Sequence, residues 1–303
     1  MLIIEDLTIH FSTRRGLVQA LDRVNLEIAP GEVVGLVGES GSGKSVLSYA
    51  ISGLLDAAAQ VVSGRIQWYG KTIEPVRERR ATRVAIAQIF QNPRGSLNPI
   101  RSVGRQLADV AGRSRVKSLM ESVHLDPVKA AQYPFELSGG QCQRISIALA
   151  LGCEPELLIA DEPTTGLDVT TEAAVMALID ELSASRRMST LLVTHNLALA
   201  AVHCDRILVM HAGQIVENAP VEILTQTPRH PYASRLLAAT PQHSATAADL
   251  QTVPGNLPDL AGPLPPCRFA TRCDRHQPDC DLTTPPLVAI APNHLVACRH
   301  PLC

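Results

Sequence analysis

Three short polar clusters in this chain carry the residue types that handle phosphate, and each follows an apolar run. The first is GESGSGKS, Gly38 to Ser45, between the apolar EVVGLVG and the helix-like KSVLSYAISGLL. Gly38, Gly43, Lys44 and Ser45 fit the phosphate-loop spacing GxxxxGK[ST] in the strand-to-helix context that gives it meaning. The small residues Ser40, Gly41 and Ser42 let successive N–H groups turn inward as a nest for anionic oxygens. The positive end of a helix starting near Lys44 points at the same anion. Lys44 is then placed to meet terminal phosphates, and the Ser45 hydroxyl to ligate Mg²⁺.

The second cluster ends the run ELLIADEP, where Asp161 and Glu162 follow the strand-like Leu157 to Ala160. Adjacent carboxylates suit a division of labour in which Asp161 holds Mg²⁺ through water and Glu162 polarises the attacking water. The third is His195, just past STLLVT. A lone histidine after a strand is ordinarily a satisfied polar group. Its weight comes from convergence, since three strands ending at Gly38, Asp161 and His195 would deliver polar groups to the carboxyl edge of a parallel sheet, where ligands bind. A further anion site is written in FELSGGQCQRISIALAL. Ser138 can cap a helix, Gly139 and Gly140 allow close approach to its free N–H groups, and the apolar spacing after Gln141 is helical.

The elements that must position these groups fit the composition. With 303 residues and 46% apolar content the chain can bury a large core. A net charge of −2 and 3% aromatic residues disfavour a nucleic-acid partner. No apolar run reaches membrane-span length, and MLIIEDLTIHF reads as a strand rather than a signal peptide, so a cytosolic chain is expected. Five of eight cysteines and eleven of 22 prolines fall after residue 240, from PQHSATAADLQ onward. That shift marks a boundary: a domain over 1–240, with a helical subdomain at about 94–150, a linker at 241–252 and a Cys-rich module at 253–303.

In order and spacing these motifs resemble an ABC-type ATP-binding subunit over residues 1 to about 240. The resemblance implies an α/β P-loop ATPase fold with a mixed sheet core, an antiparallel β part and a helical subdomain. It identifies Gly38 to Ser45 as the Walker A loop, Gln91 of IFQNP as the Q-loop glutamine, a catalytic and Mg²⁺-facing group, and Leu137 to Gln141 as the signature. It makes Asp161 and Glu162 the Walker B aspartate and catalytic base, Asp168 of TTGLD the D-loop residue and His195 the switch histidine. Phe11 is the matching adenine-stacking aromatic. In that family ATP lies between two subunits, the phosphate loop of one facing the LSGGQ of the other. Two departures stand out, Gly166 for the usual alanine and Asn196 for the aspartate after the histidine.

QNPRGSLNPIRSVGRQL, RHPYASRLLAATP and the tail PPCRFATRCDRHQPDC resemble the dipeptide, oligopeptide and nickel importer subfamily. That implies two membrane-spanning permease subunits, a substrate-binding protein and a second, related ATPase as heterodimer partner, at the cytoplasmic face of the cell membrane. Peptides or related small solutes are the expected cargo, with nickel or metal chelates as the alternative. Two rivals are a non-transport ABC ATPase and a redox sensor whose cluster gates hydrolysis. The tail's Cys267, Cys273, Cys280 and Cys298 are spaced C-x5-C-x6-C-x17-C. On residue type alone they leave open a metal site, disulfides or unrelated buried thiols. The lack of any CxxC pair is unlike zinc ribbons. The subfamily resemblance implies a [4Fe–4S] cluster, with zinc as the alternative. Cys142, Cys153 and Cys204 are assigned to core elements, and tail and nucleotide loop are expected to act independently.

Overall fold

A computed structural model describes residues 1–14, 16–76, 85–240 and 253–303; the expected linker at 241–252 lies outside them. Along the chain run β1 (Leu2–Thr13), β2 (Gly16–Ile28), β3 (Val33–Val37), α1 (Lys44–Ile51), β4 (Ala59–Trp68), β5 (Lys71–Ile73) and β6 (Ile86–Ile89). Next come α2 (Pro93–Ser96), α3 (Val103–Ala111), α4 (Val116–Ser122), α5 (Gly139–Gly152), β7 (Leu157–Asp161), α6 (Val169–Arg186) and β8 (Ser189–Thr194). The chain closes with α7 (Leu197–His203), β9 (Arg206–His211), β10 (Gln214–Pro220), α8 (Val221–Gln226), α9 (Pro231–Ala238), β11 (Val288–Ala291) and β12 (His294–Val296).

Two compact units result. The first comprises Met1–Ala29, Val33–Thr82 and Val193–Cys303; the second Pro30–Glu32 and Arg83–Leu192. In the first unit β1 pairs antiparallel with both β2 and β4, in a sheet ordered β2-β1-β4-β5. A second run of strands there is ordered β11-β12-β10-β9-β3, with β3 parallel to β9 from Val34↔Arg206 to Val37↔Val209. The tail therefore adds β11 and β12 to the sheet through Glu217↔Val296, and Phe269 joins a buried cluster with Val37, Val209 and Tyr232. Its apolar residues have no core of their own to fill, so they use this one.

In the second unit β6 and β7 pair in parallel, with β8 next in order. Every residue of β7 and β8 is buried, as unbroken apolar runs covered on both faces require. The region 94–150 is carried by short helices joined by 3₁₀ turns and ends in α5, which Ser138 and Gln141 start with a reciprocal capping box. Cys142 is buried, but Cys153, expected in the core, is exposed because α5 ends one residue before it. Among the described residues no helix is long and apolar enough to cross a membrane.

Candidate functional site

The phosphate-loop segment leaves β3 and enters α1. Gly43 has φ 106°, and a Cβ there would lie 2.8 Å from the Ala20 carbonyl, so the helix entry needs glycine. A Cβ on Gly38 would stand 2.2 Å from the Met210 carbonyl oxygen. The backbone is thus pressed against its neighbours and leaves its other face to a ligand. Lys44 is buried and its Nζ donates to the carbonyls of Gly38 (2.8 Å) and Glu39 (2.9 Å), folding the cation over the loop. Ser42 Oγ is fully buried with no hydrogen-bond partner among the described residues. A buried hydroxyl left unsatisfied inside a loop of inward-turned N–H groups suits a site completed by an anion.

Ser45 is exposed at the start of α1, and His195 is exposed after β8. Asn196 accepts from the Leu199 N–H at 3.2 Å and caps α7. The departure from aspartate keeps a good capping residue. Phe11 lies inside β1, half-buried, opposite Val18 and Ala59.

The second unit brings Gln91 and Glu162 together. Gln91 Nε2 donates to Glu162 Oε2 at 2.8 Å, and the Thr165 hydroxyl donates to the same oxygen at 2.9 Å. Glu162 has φ 47°, a conformation that non-glycine residues adopt at a cost and that recurs at functional sites. Asp161, one residue earlier, is buried at the end of β7. Asp168 accepts from the Thr171 N–H (2.9 Å) and hydroxyl (2.7 Å), capping α6, and these bonds hold its carboxyl below the usual range. Gly166 has φ 79°, which explains glycine where alanine is usual.

The signature segment abuts this cap. A Cβ on Gly140 would fall 2.5 Å from Thr171 Cγ2, and one on Gly139 would fall 3.5 Å from Leu167. Ser138 Oγ accepts from the Gln141 N–H at 3.3 Å while Gln141 Oε1 accepts from the Ser138 N–H at 3.1 Å. The hydroxyl proton of Ser138 is left for another acceptor, because capping uses only its oxygen.

In the tail, Cys267, Cys273, Cys280 and Cys298 line one pocket together with Phe269 and His300. Burial raises the thiols of Cys267, Cys273 and Cys298, the last to about 11, and the neighbouring cysteines push the same way. Burial thus disfavours the thiolates of Cys267, Cys273 and Cys298, and a cation bound beside them would offset that cost. A tighter set for one ion is Asp279, Cys280 and His300, whose ligand atoms lie within 4.8 Å of one another. It draws on only one of the four cysteines. Sequence reasoning missed Glu39, Thr171, Arg268 and Arg272; the only signal for Glu39 was its place inside the loop.

Comparison with known proteins defines the class. A family model described as ABC transporter matches residues 21–165, and one described as oligopeptide/dipeptide transporter, C-terminal region, matches 216–280. The dipeptide transport ATP-binding protein DppD of Escherichia coli (strain K12) is 37% identical, covering 100% of this chain and 97% of its own. The oligopeptide transport ATP-binding protein OppD of Salmonella typhimurium is 40% identical over 100% of this chain and 94% of its own. Among solved structures, a dimeric post-hydrolysis state of the ATP-binding cassette MJ0796 bound to ADP and Pi superposes with TM-score 0.63 at 26% identity, covering 73% of this chain and 99% of that one. The chain belongs to the ABC transporter ATP-binding family, and its fold is the ABC ATPase fold.

Proposed function

We propose that the chain is the ATP-hydrolysing subunit of a peptide importer. The observation that carries this is full-length similarity, tail included, to relatives named as dipeptide and oligopeptide transport ATP-binding proteins. Lys44 meets the terminal phosphates, and the N–H groups of residues 38–45, with the Ser42 hydroxyl, receive their oxygens. Ser45, Asp161 and Gln91 would hold Mg²⁺, which would supply charge neutralisation at those phosphates. Glu162, oriented by Gln91 and Thr165, takes the proton of the attacking water, while His195 donates toward the γ-phosphate. Phe11 stacks on the base.

Ser138, Gly139, Gly140 and Gln141 offer the N-terminus of α5 to the nucleotide of a second, related ATPase, and Asp168 sits beside that surface. Closure around ATP then biases two permease subunits fed by a substrate-binding protein, with this chain peripheral at the cytoplasmic face. In the tail, Cys267, Cys273, Cys280 and Cys298 are the thiolates for a [4Fe–4S] cluster, which would neutralise and order that pocket.

The test is reconstitution with the neighbouring permeases and binding protein. Peptide should stimulate ATP hydrolysis severalfold in the unmodified complex and not in Glu162→Gln. Stimulation by nickel chelates alone would redirect the cargo. Iron and sulfide near four each per chain support the cluster; one zinc without sulfide replaces it.

A further inference from the structure

The short stretch between Cys267 and Cys273 holds two buried arginines, and one of them, Arg272, reaches the phosphate loop. Arg272 forks onto Glu39: Nη1 donates to Oε2 at 2.8 Å and Nη2 to Oε1 at 2.9 Å. Its Nε donates to the Pro254 carbonyl at 2.6 Å. Glu39 is the second residue of the loop. Its N–H donates to the Tyr232 hydroxyl at 3.0 Å, and its carbonyl accepts from Lys44 at 2.9 Å and from the Ser42 N–H at 3.1 Å. Arg268 holds the loop's other flank, donating to the Ala212 carbonyl and to Asp22 at 3.0 Å. The next residue, Gly213, donates its N–H to the Ser42 carbonyl at 2.7 Å.

We infer that Arg272 is a positioning residue for nucleotide: it fixes the phosphate loop through Glu39 and ties that loop to the four-cysteine pocket. The inference rests on the phosphate-loop reading above. The loop is built almost wholly of glycine and serine, so its own stiffness is small and ordering it on binding costs affinity. A forked guanidinium–carboxylate pair removes that freedom beforehand. The Arg272 side chain is 2% exposed, so the pair is shielded from solvent on the arginine side. The link to the pocket is short. Ala270–Arg272 form a 3₁₀ turn in which the Ala270 N–H bonds Cys267 and the Cys273 N–H bonds Ala270, so whatever shifts the two cysteines shifts Arg272.

The test is MgATP affinity of the full chain, read with a fluorescent ATP analogue. Arg272→Gln and Glu39→Gln should each weaken binding about tenfold, and Arg272→Lys measurably but by less, since an ammonium keeps the charge yet cannot satisfy both oxygens. The double variant should bind no more weakly than Arg272→Gln alone, because the two residues act through each other. Cys273→Ser should weaken binding about threefold or more, and add nothing in the Arg272→Gln background. Affinity within twofold of the unmodified chain in Arg272→Gln, or a double variant that loses the product of the single losses, overturns the inference. If Arg272→Gln fails to fold, Glu39→Gln carries the same test from a partly exposed carboxylate. Lys44→Ala separates the two readings: ATP binding that survives it removes the phosphate-loop assignment, whereas binding lost there but kept in Arg272→Gln removes only the role of Arg272.

Discussion

Gln91 and Glu162 lie 71 residues apart in sequence and share a 2.8 Å hydrogen bond, with the amide nitrogen donating to the carboxylate. Under the proposed roles, the base would be oriented by the residue that would also face the metal. Gln91→Glu converts this contact into two carboxylates that cannot both ionise freely, which raises the apparent pKa of the pair. The acidic limb of the pH–rate profile for ATP hydrolysis should move upward by about a unit or more. Gln91→Ala should lower kcat about tenfold or more without that displacement, since it loosens the carboxylate but adds no charge. An unchanged profile in Gln91→Glu would show that the contact does not persist during turnover.

Ser42 makes a separable prediction. Its buried hydroxyl has no hydrogen-bond partner among the described residues, so Ser42→Ala removes an unsatisfied group and should leave the thermal midpoint equal or higher. ATP affinity should fall about tenfold or more, the value of one lost hydrogen bond to a charged acceptor. A lower midpoint with unchanged affinity would place the hydroxyl's role in folding.

What could be read in the sequence was local. The loop at 38–45, the cap at Ser138 and the carboxylates after β7 each depend on backbone conformation set by a few neighbouring residues, so their types and spacing announce them. Arg272 and Glu39 are 233 residues apart, and no local pattern distinguishes a buried tail arginine from a solvated one. Tail and loop, read from the sequence as separate modules, are in contact at that pair. The pairing of β12 with β10 was likewise hidden, because it depends on a sheet edge formed far away in the chain. Cys153 lies outside the core, and the sequence hides this for the opposite reason: helical periodicity continues in the sequence past the residue where α5 stops.

Gly140 tests the contact between signature and helix cap. Gly140→Ala would drive a methyl to 2.5 Å from Thr171 Cγ2, so either α5 or the Asp168 cap must shift. ATP hydrolysis by the assembled transporter should fall about tenfold or more, by the misplacement argument for catalytic groups. Thr171→Ser removes that Cγ2 while keeping the hydroxyl that Asp168 accepts from. The double variant Gly140→Ala/Thr171→Ser should therefore recover a substantial part of the lost rate. Failure to recover would mean the glycine is needed by the nucleotide or partner rather than by Thr171.

His211 gives the last prediction, a pH dependence of stability. Its ring is fully buried, 4.4 Å from the Tyr232 ring and 5.3 Å from that of Phe269. Nε2 lies 3.4 Å from the Arg268 carbonyl, Nδ1 has no hydrogen-bond partner, and the Glu39 carboxylate stands 3.9 Å away. Burial first, then the Arg272 cation, lowers its pKa from 6.5 to about 3, so the ring is neutral in the folded protein. Above pH 6.5 neither the folded nor the unfolded chain protonates it, and it adds no slope. Between 6.5 and about 3 the unfolded chain binds a proton that the folded chain refuses. Stability should then fall with falling pH by about 1.4 kcal/mol per unit from this group alone. His211→Phe keeps the aromatic packing and removes the titration. Urea midpoints at neutral pH should be equal or higher in the variant, and the gap should widen steadily toward pH 5. Parallel curves for the two proteins would mean that the folded chain takes up the proton at His211, and that the burial of this ring does not hold in solution.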